Sequence, residues 1–252
     1  KAYYATKTYT DKLIGFIDDN KADGKPFFAY VAHQAPHDPY HLPKDWRFRD
    51  VGKYDKGWDV LRQERLKRQV EMGITPAGTQ LSERMWFIPD PIVLAPASRA
   101  VLGKKMELYA GMVENLDHHV GRLIDTLEDL EILEDTLVYY IIGDNGASAE
   151  GTINGAFNEL ANFNGMAALE TPEFMLSKMD EFGSPSSYNH YSVGWAWAMD
   201  TPFQWTKQVA SHWGGTRNGT IVHWPAGITA KGQVRSQFTH VIDIAPTILE
   251  AA

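Results

Sequence analysis

The sequence contains no cysteine. Disulfides, thiolate nucleophiles and thiolate metal sites are therefore excluded within it, while the redox compartment stays open. No apolar run approaches the roughly eighteen residues of a membrane-spanning helix, and no stretch has the make-up of a signal peptide. An excess of basic residues is missing too: 24 Lys and Arg against 32 Asp and Glu leave a formal net charge of -8. That balance favours solubility and argues against binding nucleic acid through its phosphate backbone. Neither common glycine-rich phosphate loop occurs, and there is no internal repeat. The chain opens at Lys1 without Met and closes on a helix start at residues 244–252 with no stop signal. It is expected to be the interior of a longer protein.

What is present is globular in make-up: 252 residues, 44% hydrophobic, with 8 Trp, 11 Tyr and 11 Phe. That is enough for one large domain or two small ones. The most informative stretch is 136–151. Residues 137–142 are an apolar run too short for a typical helix and rich in β-branched and aromatic types, as expected of a strand buried in a parallel sheet. The run stops at Gly143-Asp144-Asn145-Gly146, and ligand sites in open α/β sheets lie outside such strand ends. Asp144 and Asn145 offer hard oxygen ligands suited to Ca²⁺ or Mg²⁺. Asp-Asn-Gly is equally ordinary turn chemistry, and the ligand pattern of an EF-hand is absent.

Thr10 and Asp11 can cap a short helix through Leu13, Ile14 and Ile17. Residues 26–32 read as a second buried strand, running into His33, His37 and His41. The spacing matches a helical zinc face, but Pro36 and Pro39 exclude a continuous helix there. What remains is a proline-braced loop suited to a catalytic histidine, or one carrying hydrogen-bonded surface histidines. Residues 60–72 read as a solvated helix whose Arg62, Arg65, Lys67 and Arg68 are interrupted by Glu64 and Glu71, unlike a nucleic-acid patch. The clearest helix has one stripe from Leu102 through Met106, Tyr109, Val113, Leu116, Val120, Leu123 and Leu127 to Leu130. His118 and His119 beside it read as structural. Residues 149–191 read as an excursion over the sheet edge, with a helix near 172–182. The aromatic segment 188–197 fits a substrate pocket or core packing equally. Lys207 lies between Trp205 and the turn 212–217, a third strand is expected at 220–224, and Asn218-Gly219-Thr220 matches a glycosylation sequon that has meaning only in a secreted eukaryotic protein.

Five segments in this order carry a resemblance. They are Lys25-Pro-Phe-Phe-Ala-Tyr30 with Ala35-Pro-His37, residues 108–117 ending Glu-Asn-Leu-Asp117, Gly143-Asp144-Asn145-Gly-Ala-Ser148, Thr206-Lys207 with Gly214-Gly-Thr-Arg217, and Val241-Ile-Asp-Ile-Ala-Pro-Thr247. Together they resemble the sulfatase family of the alkaline-phosphatase-like superfamily, specifically its arylsulfatases. The resemblance covers most of the chain outside about 45–100 and 160–185. It implies an α/β fold, an alkaline-phosphatase-like sandwich of helices around a largely parallel β-sheet, here one incomplete catalytic domain over residues 1–252. It further implies that Asp144 and Asn145 are ligands of a divalent cation, usually Ca²⁺. Lys207 then holds the sulfate, His37 protonates the leaving-group oxygen, and His212 is a pocket residue.

An anionic ester repels a nucleophile, so a cation and a lysine must stabilise charge on its oxygens. A poor alkoxide leaving group needs a proton. The family's nucleophile is a formylglycine made from Cys or Ser in a Cys/Ser-x-Pro-x-Arg motif. No such motif occurs here. The expectation is an arylsulfatase-like hydrolase of a small-molecule or saccharide sulfate ester whose formylglycine lies upstream, with the segment alone inactive. Alternatives are a phosphatase or phosphonate hydrolase on the same scaffold, or a non-catalytic metal-binding relative.

Overall fold

Residues 3–47 and 49–252 are described by a computed structural model. Its helices and strands run α1 (Ala5–Asn20), α2 (Trp58–Glu71), α3 (Pro96–Asp129), β1 (Val138–Ile141), α4 (Glu159–Phe163), α5 (Pro172–Ser177), α6 (Val193–Met199), α7 (Trp213–Thr216), β2 (Thr220–His223) and α8 (Ile244–Ala251). Among the described residues six short 3₁₀ turns lie between them.

The long apolar stripe forms α3, which opens on a proline, where a missing N–H costs no helical bond. Its first half is buried nearly all round, through Val101, Leu102, Met106, Leu108 and Met112. Its second half buries less, through Leu116, His119 and Leu127, and Val113 faces solvent. The single stripe is thus incomplete, because α1 and α5 both pack on α3. His119 is buried beside Arg122, with Nδ1 3.0 Å from Nη1. Burial first, then Arg122, hold its imidazole down at about 4. His118 packs on the Trp46 ring.

Most of the 188–197 segment is core. His190, Tyr191, Val193, Trp195 and Trp197 are buried, and Trp195 Nε1 donates to Leu102 O at 2.9 Å. Trp195 stands edge-on to Trp58 at 5.5 Å, a favoured aromatic geometry. Gly194 permits this approach, since a Cβ there would sit 2.5 Å from the Trp58 ring.

Two expectations fail. The helix over 60–72 is not simply solvated: Arg62 is 1% exposed and donates to Trp197 O, Ser82 Oγ, Pro202 O and Phe203 O. Its guanidinium collects the carbonyls left open after α6, a use of charge invisible to charge patterning. The second correction concerns the sheet. Among the described residues it has two strands, β1 and β2, paired antiparallel with Val138 opposite His223 and Ile141 opposite Thr220. A largely parallel sheet is not formed by these residues. Residues 26–32 form no regular secondary structure and join no ladder, and Phe28 and Tyr30 are 74% and 81% exposed. Apolar alternation and β-branching report a strand-like segment, whereas direction and partner depend on which chain lies beside it. Among the described residues no helix is long and apolar enough to cross a membrane.

Candidate active site

At the end of β1 the backbone turns through Gly143 at φ +77°, a conformation that favours glycine. Asp144 and Asn145 follow, with Asn145 Nδ2 donating to Asp144 Oδ1 at 2.7 Å. Asp144 is exposed and Asn145 half-buried. Gly146 then presses on the turn at α7: its N–H donates to Gly215 O at 3.1 Å, and a Cβ would lie 1.6 Å from Gly214 O. Asn218 clamps the same turn when its amide is oriented so that nitrogen donates to Asn145 O and oxygen accepts from Asn145 N, at 3.0 and 3.1 Å. The amide of the sequon is therefore engaged with the backbone in this fold.

The loop carrying Lys207 is fastened to the segment that follows Asn145. Lys207 N–H donates to Ala147 O at 2.9 Å, and Lys207 Nζ lies 2.9 Å from Glu150 Oε2. Trp205 and Gln208, on either side, hold φ values of +63° and +76°. Such left-handed non-glycine residues persist only where surrounding contacts impose them, and they are enriched at functional sites. Ala147 N–H in turn donates to Asp200 Oδ1 at 2.9 Å. Asp200 is largely buried, and burial pushes its carboxyl up to about 8. Glu150 also accepts from Ser148 Oγ and Gln208 Nε2. Burial alone would raise its pKa, but the bonds from Ser148 and Lys207 hold it below the usual glutamate value.

His37 lies in a non-helical loop with its ring 62% exposed, and Nδ1 is 2.8 Å from Asp38 Oδ1. The Asp38 side chain, only 5% exposed, reaches inward to Glu159 and His190. Glu159 also feels Glu150 and Lys207, so His37 and Lys207 border one array of charges. Its carboxyl is raised to about 9, first by burial and then by Asp38.

His212 precedes α7, with Nδ1 2.9 Å from Ser211 Oγ and its ring 5.9 Å from Trp205. Among the described residues no hydrogen bond or ion pair joins Asp144 to His37, Lys207 or His212. The link from Asp144 and Asn145 to Lys207 runs through the backbone at Ala147 and the Glu150 carboxylate. Two surface clefts, one beside Trp58 and Leu94 and one beside Arg62 and Arg84, lie away from these residues. Sequence reading missed Asp38, Glu150, Glu159, His190 and Asp200. Asp38 adjoins a singled-out histidine, Glu150 lies in the singled-out stretch 136–151, and His190 lies in a singled-out aromatic segment. The others had no motif to reveal them, because the fold alone brings them together.

Asp144 and Asn145 are chemically suited to a hard divalent cation, being two adjacent oxygen donors on a turn with one side open to solvent. Together they could offer two of the six to eight oxygens that Ca²⁺ takes.

The sulfatase family model matches residues 1–252. An uncharacterised sulfatase of Schizosaccharomyces pombe is 31% identical over 100% of this chain and 44% of its own length. The arylsulfatase of Klebsiella aerogenes is 28% identical over 99% of this chain and 51% of its own. A solved structure, Ps i-CgsB in complex with k-i-k-neocarrahexaose, aligns over 89% of this chain and 29% of that chain at 18% identity, with a TM-score of 0.42. The chain spans about half the length of each of these two relatives. With the family model covering it from end to end, the chain belongs to the sulfatase family.

Proposed function

We propose that the protein is an arylsulfatase-like hydrolase that cleaves a small-molecule or saccharide sulfate ester to an alcohol or phenol and sulfate. The observation that carries this reading is the Lys207–Glu150 contact, built on the segment that bears Asp144 and Asn145. It supports an anion site whose lysine is anchored to the segment that follows the oxygen donors. A divalent cation held by Asp144 and Asn145, Ca²⁺ by family precedent, would supply charge neutralisation at the ester's oxygens.

Lys207 binds and orients the sulfate group with a charge-assisted hydrogen bond. As the S–O bond to the leaving group breaks, His37 would donate a proton to the departing oxygen, and the formylglycine, when present, would supply the nucleophile and release the sulfate. Asp38 contacts Nδ1 and so leaves Nε2 as the reacting nitrogen. No residue of this chain lies in a Cys/Ser-x-Pro-x-Arg motif, so the formylglycine is proposed to come from outside these 252 residues. His212, taken up with Ser211 and Trp205, is proposed to border the leaving-group side of the site.

The test uses protein joined to the segment that carries the nucleophile. It is expected to release nitrophenol from 4-nitrophenyl sulfate. Lys207→Ala or His37→Ala should each lower kcat by about 10²–10⁴-fold. Undiminished turnover in both variants overturns the assignment. The 252-residue chain alone is expected to show no turnover, and substantial release by it would place the nucleophile within these residues.

A further inference from the structure

His190 is held from both sides of its backbone by Ala156, with N–H to O bonds of 3.0 and 3.1 Å. Its side chain is fully buried, and Nδ1 lies 2.8 Å from Tyr191 O. A carbonyl can only accept, so Nδ1 carries the hydrogen and Nε2 presents a lone pair to the interior. Nothing partners that lone pair, and Glu159 Oε1, 4.0 Å away, is likewise buried and unpartnered. Asp38 completes the group: one ligand atom from each of Asp38, Glu159 and His190 lies within 4.8 Å of the others.

With both carboxyls ionised, three electron-pair donors thus face one buried point with no hydrogen donor among them. Buried polar atoms in native proteins are nearly always satisfied, so something positive belongs there. One proton shared by the two carboxylates would leave His190 Nε2 bare. A second proton would bury an imidazolium. A divalent cation satisfies all three atoms at once.

The donor set indicates which cation. One imidazole and two carboxylates suit zinc or manganese better than Ca²⁺, which takes oxygen alone. An imidazole whose other nitrogen is bound to a backbone carbonyl is the usual arrangement at metal sites, because it fixes the tautomer and ring direction. A metal about 2.0–2.2 Å from each ligand needs ligands roughly 3.3–3.5 Å apart in a tetrahedral site. The 4.0 Å gap between Nε2 and Oε1 closes to that with a shift of less than an ångström. The nearest cations are engaged elsewhere: Lys207 on Glu150, and Lys105 on Asn154 O and Met175 Sδ. Among the described residues the ion-pair partners of Asp38 and Glu159 are imidazoles alone.

We propose that Asp38, Glu159 and His190 form a buried site for a divalent transition-metal cation of the zinc or manganese class, separate from Asp144 and Asn145. It does not rest on the sulfate-ester reading and stands or falls apart from it. The test is titration of the chain carrying Asp144→Ala, which disables the other metal position, with Zn²⁺ and with Co²⁺ as a spectroscopic probe. One equivalent is expected to bind, and His190→Gln and Glu159→Gln are each expected to weaken binding by at least about tenfold. X-ray absorption of the Zn²⁺-loaded Asp144→Ala chain should show one imidazole among oxygen ligands. This readout stands even if the His190 or Glu159 variants fail to fold. No binding to Asp144→Ala, unchanged affinity in a folded His190→Gln variant, or an absorption spectrum without imidazole would each overturn the proposal and leave a protonated carboxylate pair in its place.

Discussion

Lys207 and Glu150, 57 residues apart in sequence, meet at 2.9 Å between Nζ and Oε2. Both side chains are only partly exposed, so the pair contributes about 0.5–1 kcal/mol after solvent screening. Its larger consequence is for anion binding, because a sulfate reaching Lys207 must displace a carboxylate or share the amine with it. Glu150→Gln is expected to bind inorganic sulfate several-fold more tightly than the parent chain, and Lys207→Ala to lose binding, as titration calorimetry would show. Equal affinity in Glu150→Gln and parent would mean the carboxylate does not compete. Glu150 is held below its ordinary pKa, so its share of stability is present above about pH 4.3 and fades as pH falls through the lowered value.

Asp200 titrates in the opposite sense. Burial raises its carboxyl to about 8, so the folded chain binds a proton that the unfolded chain has released above about pH 4. Stability from this group is full below about pH 4 and is lost as pH rises to about 8. Asp200→Asn keeps an acceptor for Ala147 N–H and removes the titration. Relative to the parent, it is expected to gain up to about 1.4 kcal/mol per pH unit across that window and then level off. Urea unfolding of both chains at pH 5, 7 and 9 measures it, and a pH-independent difference would refute it.

Arg62 leaves five acceptors behind if it is cut away: Trp197 O, Pro202 O, Phe203 O, Ser82 Oγ and Thr201 Oγ1. Its guanidinium is lowered to about 10, chiefly by burial. Arg62→Ala is expected to destabilise the fold by about 3–5 kcal/mol, the scale of stripping one partner from a buried charged network. Arg62→Lys should recover only part, since an ammonium lacks the planar fork. Denaturant midpoints of the two variants check both statements.

Gly194 faces a different constraint, steric rather than polar. A methyl group there would meet the Trp58 ring at 2.5 Å, and the ring is itself packed on Trp195. Gly194→Ala is expected to cost about 1–3 kcal/mol through overpacking, despite the better helix propensity of alanine. A thermal midpoint at or above that of the parent would contradict this.

The parts legible in advance share one property: their cause is local. Leu102, Met106, Leu116 and Leu127 repeat at helical spacing, and α3 is there. The apolar run that stops at Gly143 ends a strand before a turn that needs positive φ. Pro36 and Pro39 kept the histidine loop from being a helix, as expected. The Arg62 error and the parallel-sheet error have the opposite origin. Whether a cationic helix face meets water or carbonyls depends on residues 135 positions away, and whether a β-prone segment pairs parallel or antiparallel depends on a strand that follows it by more than seventy positions.

By itself the sequence determined the long helix α3, the turn at 143–146 and the family, because periodicity, glycine geometry and ordered motifs are properties of neighbours along the chain. Only the tertiary structure decided that Asp38, Glu159 and His190 share one buried point, that Lys207 answers to Glu150, and that β1 lies antiparallel to β2. Charges and lone pairs act through space over a few ångströms. Residues 38, 159 and 190 become neighbours only once the chain has folded.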